Sequence, residues 1–133
     1  MRTGSCLCGG VAFELHGLVR DVLACHCTQC RKTSGHYWAA TNVPRHKLVL
    51  TKRETLRWYA SSTSAERGFC QACGASLFYH VHDGDGISVA AGSIDGDTHC
   101  VTSEHWFTSM KGDYYGLPEG EKVRPQEQDI DVE

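Results

Sequence analysis

Ser5-Cys6-Leu7-Cys8-Gly9-Gly10-Val11-Ala12-Phe13-Glu14-Leu15-His16 carries two signals in succession. Its first half is a pair of cysteines one residue apart, closed by glycines. Gly9 is free to take a positive φ and turn backbone amides back toward the two sulfurs. Its second half alternates Val11, Phe13 and Leu15 with smaller or polar residues, the period-2 pattern of a half-buried strand. A metal-binding knuckle that runs straight into a strand predicts a β fold stapled by metal.

The rest of the 133-residue chain repeats both signals. Cys70-Gln71-Ala72-Cys73-Gly74 is a second knuckle, so Cys6, Cys8, Cys70 and Cys73 are expected to pair as one closed, structural four-thiolate site. Bridging Cys8 to Cys70 would close a loop of about 60 residues and remove that closure entropy from the unfolded chain. A third cluster, Cys25-His26-Cys27-Thr28-Gln29-Cys30, has no such glycine and is followed by Arg31-Lys32. It offers three thiolates, which leaves a fourth zinc position for water or a substrate atom, the mark of a catalytic site. The plain alternative is a second structural zinc completed by His26, His36, His99 or Cys100. Four thiolates also suit an iron–sulfur centre, but nothing in the chain signals a redox partner.

Strand-length segments rich in β-branched and aromatic residues fall at 37–43, 47–50, 55–60, 75–82 and 87–94, separated by Pro44, Asp83-Gly84-Asp85-Gly86 and Asp95-Gly96. Residues 19–24 are expected to return antiparallel to 10–16 and deliver Cys25, with the triad on the loop that follows. No segment shows a long 3.6-residue period, so helices should be few and short. The reading is all-β: small antiparallel sheets, one domain over 1–117 and a charged, solvated or loosely docked tail over 118–133.

Thirteen basic residues against sixteen acidic ones give a net charge of −3, which disfavours nucleic acid as a partner. No apolar run approaches the ~20 residues needed to span a bilayer, so no membrane role is expected. Zinc thiolates require a reducing compartment, hence a cytoplasmic expectation. Arg31 and Lys32 suit an anionic ligand through Arg's bidentate fork, and equally suit simple surface charge. Tyr37, Trp38, Trp106 and Phe107 suit either a pocket wall or the core.

In chain order, Ser5-Cys-Leu-Cys-Gly-Gly10, Cys25-His-Cys-Thr-Gln-Cys-Arg-Lys-Thr-Ser-Gly35, Phe69-Cys-Gln-Ala-Cys-Gly74 and Ala91-Gly-Ser-Ile-Asp95 resemble the glutathione-dependent formaldehyde-activating enzyme family. The resemblance implies an Mss4-like (β-tent) fold with two zinc ions. Cys6, Cys8, Cys70 and Cys73 would hold the structural ion, and Cys25, Cys27 and Cys30 the catalytic one. It implies a carbon–sulfur lyase chemistry in which formaldehyde and the glutathione thiol form S-hydroxymethylglutathione. The family's C-terminal His-aromatic stretch is matched only loosely by His105-Trp106-Phe107, Lys111 and Tyr114-Tyr115. A non-catalytic zinc-stabilised module that binds glutathione or a protein partner is the alternative. Oligomeric state is not readable from the sequence.

Overall fold

Residues 1–126 are described by a computed structural model of the chain. Eleven strands among them, β1 (Arg2–Ser5), β2 (Ala12–Leu15), β3 (Val22–Cys25), β4 (Trp38–Pro44), β5 (Leu48–Lys52), β6 (Leu56–Ala60), β7 (Ala65–Cys70), β8 (Ser76–Val81), β9 (Gly86–Ala90), β10 (Thr102–Trp106) and β11 (Lys122–Arg124), are joined by one α-helix, α1 (Thr28–Ser34), and three short 3₁₀ turns. The molecule is all-β and Mss4-like in class, as the strand spacing predicts. No described helix is long and apolar enough to cross a membrane.

The alternation in 11–15 sorts Val11, Phe13 and Leu15 into the interior and leaves Ala12 and Glu14 half-buried. β2 therefore pairs antiparallel with β1 on one edge and β5 on the other, in a three-stranded sheet. The second sheet runs β11-β10-β3-β4-β9-β8-β7-β6. The two sheets share one core in which Phe13 meets Phe78 edge-on at 5.5 Å, with Leu15, Val43, Leu77, Ile87 and Val89 around them. A smaller cluster of Cys30, Trp38 and Ala40 lies under α1, against Cys25, Cys27 and Tyr79.

Two expectations are corrected. Residues 19–24 do not return against 10–16, because both edges of β2 are already occupied. Instead β3 pairs antiparallel with β4 and parallel with β10. The triad is not on a plain loop, since Cys27 caps α1 and Cys30 lies within it. A seven-residue helix is too short to display a period, and its stop at Gly35 is a left-handed cap with φ 85°. Within the charged segment from 118 onward, β11 docks parallel to β10, and Arg124 Nε donates to Glu104 Oε1 at 2.7 Å. Residues 127–133, the rest of that expected tail, lie outside the described residues.

Candidate metal centre

The two knuckles face each other across the sheets. Gly9 and Gly74 have φ of 81° and 80°, and their amides close tight turns onto the Cys6 and Cys70 carbonyls. These turns aim Val11 N–H at Cys6 Sγ and Cys73 N–H at Cys70 Sγ, both at 3.3 Å. All eight cysteines are free. The Sγ atoms of Cys6, Cys8, Cys70 and Cys73 lie within 4.8 Å of one another, with Cys6–Cys8 at 3.7 Å and Cys8–Cys70 at 3.6 Å. Four thiolates at about 2.3 Å from one ion would stand about 3.8 Å apart along a tetrahedral edge, so these separations already fit a metal. The Thr55 hydroxyl beside Cys70 Sγ and the amide of Cys73 pull the Cys70 thiol down to about 6, toward the thiolate a metal needs.

Cys25, Cys27 and Cys30 also bring their sulfurs within 4.8 Å of one another, and among the described residues they form a group of three. Strand register places Cys25 between Trp38 of β4 and Trp106 of β10. Cys27 Sγ accepts the Cys30 N–H at 3.3 Å as the cap of α1. Hydrogen bonds from the Cys25 and Cys30 thiols, together with the Cys30 and Gln29 amides, pull the Cys27 thiol down to about 2, while Cys25 is pushed up. Three thiols packed this closely share charge unequally until a cation compensates them. This donor set suits a soft divalent metal.

The triad opens on a cavity of about 200 Å³. All three triad cysteines line it, together with apolar walls from Leu23, Trp38, Ala40, Trp106 and Phe107 and two cations, Arg20 and Arg67. Arg31 and Lys32 occupy the last turn of α1 and are not among its lining residues. There Arg31 is half-buried and Lys32 exposed. The cation that touches the triad is Arg67, whose Nη2 donates to Cys30 Sγ at 3.4 Å. It arrives from β7, thirty-seven residues along the chain, a placement no local motif encodes.

Behind the triad, His26 is fully buried and turned into a polar chain. His26 Nδ1 lies 2.5 Å from Tyr115 Oη, His26 Nε2 2.8 Å from His105 Nδ1, and His105 Nε2 2.5 Å from Glu121 Oε1. Glu121 can only accept, so each imidazole donates from Nε2 and the Tyr115 hydroxyl donates to His26 Nδ1. Burial, followed by the neighbouring His105, His36 and Lys111, lowers the His26 pKa to about 4, which keeps the His26 ring neutral. His26 thus orients the peptide between two candidate ligands. His36 is exposed and packs against Tyr37, Tyr114 and Tyr115. Cys100 contacts the Arg20 and Thr98 carbonyls.

A family model described as glutathione-dependent formaldehyde-activating enzyme matches residues 1–110. A Schizosaccharomyces pombe protein named as an uncharacterised lyase is 32% identical over 83 residues, which is 61% of this chain and 58% of that protein. The chain therefore spans a little over half the length of this curated relative. A crystal structure of a Rhodobacter sphaeroides protein superposes with a TM-score of 0.63 over 73% of this chain and 91% of that one. Its identity is 24%, and the likeness is one of fold.

Proposed function

Because the chain belongs to the glutathione-dependent formaldehyde-activating enzyme family, we propose that it is a zinc-dependent carbon–sulfur lyase acting on the adduct of a glutathione-type thiol with a small aldehyde. In the forming direction the thiol sulfur bonds to the carbonyl carbon, and the thiol proton ends on the oxygen as a hydroxyl. The lyase direction reverses both changes, and neither direction needs an oxidant or a reductant. The observation that carries this reading is that all three triad thiols line one apolar-walled cavity.

Cys25, Cys27 and Cys30 would hold the catalytic zinc, and Cys6, Cys8, Cys70 and Cys73 the structural one. A zinc ion at the triad would supply Lewis acidity toward a sulfur or a carbonyl oxygen. The chain's own residues do the rest. Trp38, Leu23 and Trp106 exclude water from the reacting group. Arg67, against Cys30 Sγ, favours the thiolate form of the triad. Arg31 and Lys32, outside the cavity, draw the anionic tripeptide toward α1. Such thiolates persist in a reducing compartment, which supports a cytoplasmic setting.

Two measurements test the reading. Cobalt-loaded protein should gain sulfur-to-metal charge-transfer absorption with glutathione, and less with S-methylglutathione, whose thioether is a weaker ligand. Exchange spectroscopy should show faster interconversion of glutathione and S-hydroxymethylglutathione with the native protein, and no acceleration with Cys27→Ser. Binding without acceleration would make the domain a non-catalytic glutathione module. Unchanged cobalt spectra at several millimolar glutathione would remove thiol coordination altogether.

A further inference from the structure

Arg67 is fixed from several directions and still has one guanidinium nitrogen without a partner among the described residues. It is 6% exposed. Its Nε donates to Gln29 Oε1 of α1 at 2.7 Å, and its Nη2 to Cys30 Sγ at 3.4 Å. Its guanidinium lies 4.9 Å from the ring centroid of Tyr79, its cross-strand partner, and 5.6 Å from that of Trp38. Nη1 is buried with no hydrogen-bond partner among the described residues. A buried cation with an unsatisfied N–H is costly to keep unless a ligand completes it. The planar fork that leaves Nη1 unfilled is suited to a carboxylate.

The cavity that Arg67 lines is also larger than formaldehyde requires. Its volume of about 200 Å³ is several times the roughly 30 Å³ that one water occupies in the liquid. A hydroxymethyl group would leave most of it unfilled. Arg20 lines the same space and donates through Nη2 to the Ala40 carbonyl, adding a second positive charge at the wall.

The geometry points to Arg67 as a specificity-determining residue that receives a carboxylate of the thiol adduct inside the triad cavity. This rests on the reading of the triad as the site of a thiol adduct, and it deepens that reading by naming the residue inside the cavity that reads the adduct's carboxylate. The carboxylate has three possible sources, the aldehyde-derived carbon, the glycine end of the thiol or its γ-glutamyl α-carboxylate, and the recognising chemistry is the same for all three.

Calorimetric titration of the zinc-loaded protein with matched ligand pairs separates the sources. S-carboxymethylglutathione against S-carbamoylmethylglutathione changes only the charge on the aldehyde-derived side. Glutathione against its glycinamide changes only the charge at the glycine end, and glutathione against its γ-glutamyl α-carboxamide only the charge at the glutamyl end. The native protein should favour the carboxylate member of one pair by tenfold or more. Arg67→Gln should abolish that preference while still binding the amide ligand, and Arg67→Lys should retain a fraction of it. Equal affinities within all three pairs for the native protein, or a preference that survives Arg67→Gln, overturn the inference and leave the lyase reading standing. Should Arg67→Gln fail to fold, Arg67→Lys decides the matter: a preference undiminished in that variant overturns the role. Failure of every ligand to bind overturns the thiol-adduct reading, and this inference with it.

Discussion

Gly74 shows how one residue sets the geometry of a metal site. Its φ of 80° lets the chain reverse directly after Cys73, and no heavy atom outside its chain neighbours lies within 4 Å of where a Cβ would stand. The constraint is therefore conformational and not steric. Gly74→Ala should cost roughly 1–2 kcal/mol, the penalty of a left-handed backbone for an L side chain. Gly92, equally open but without a positive φ, provides the control. Gly92→Ala should stay within about 0.5 kcal/mol of the native protein. Urea unfolding of the two variants checks the difference, and equal midpoints would show that the knuckle turn tolerates a side chain.

At the scale of elements, the end of β3, the start of α1 and the strand β10 are held in mutual register by the Tyr115–His26–His105–Glu121 chain. β11 completes the same arrangement from the far side of β10. A chain truncated after residue 117 would lose β11 and the Glu121 acceptor, leaving the buried His105 Nε2 without a partner. That single loss should cost about 1–3 kcal/mol, before the unpaired edge of β10 is counted. The truncated protein should melt well below the full chain at equal metal loading. Identical melting temperatures would show that β11 contributes nothing to stability at the edge of β10.

For the whole molecule, the decisive connection is between sheets. Cys6 and Cys8 follow β1 of the three-stranded sheet, whereas Cys70 ends β7 of the eight-stranded one and Cys73 lies in the turn after it. A metal shared by all four would close a loop of sixty-two residues between Cys8 and Cys70. By the chain-entropy estimate such a closure is worth about 4 kcal/mol. The triad instead spans six residues, and its ion closes almost nothing. A chelator should therefore remove one equivalent of metal with the far-ultraviolet circular dichroism intact, and the second only as the β signal collapses. Cys73→Ser should reproduce the collapse, while Cys27→Ser should remain folded with one equivalent bound. Concurrent loss of both metals and the fold would show that the two sites share one role.

What the sequence by itself determined is local. The knuckles are legible because cysteine spacing and the following glycine act within five residues. The division of seven sulfurs into four and three is legible for the same reason. The all-β class follows from period-2 alternation in segments such as 11–15, where each residue's face depends only on its neighbours. The tertiary structure decided whatever depends on strand order. It moved β3 away from β2 to lie between β4 and β10. That order sets Cys25 between two tryptophans and, with β7 folded beside α1, brings Arg67 to Cys30. It also gathers His26, His105, Tyr115 and Glu121 from separate stretches of the chain. None of these partners lies within a turn or a strand of the other, so their meeting depends on which sheet edges remain free as the core closes, and no local pattern carries that choice.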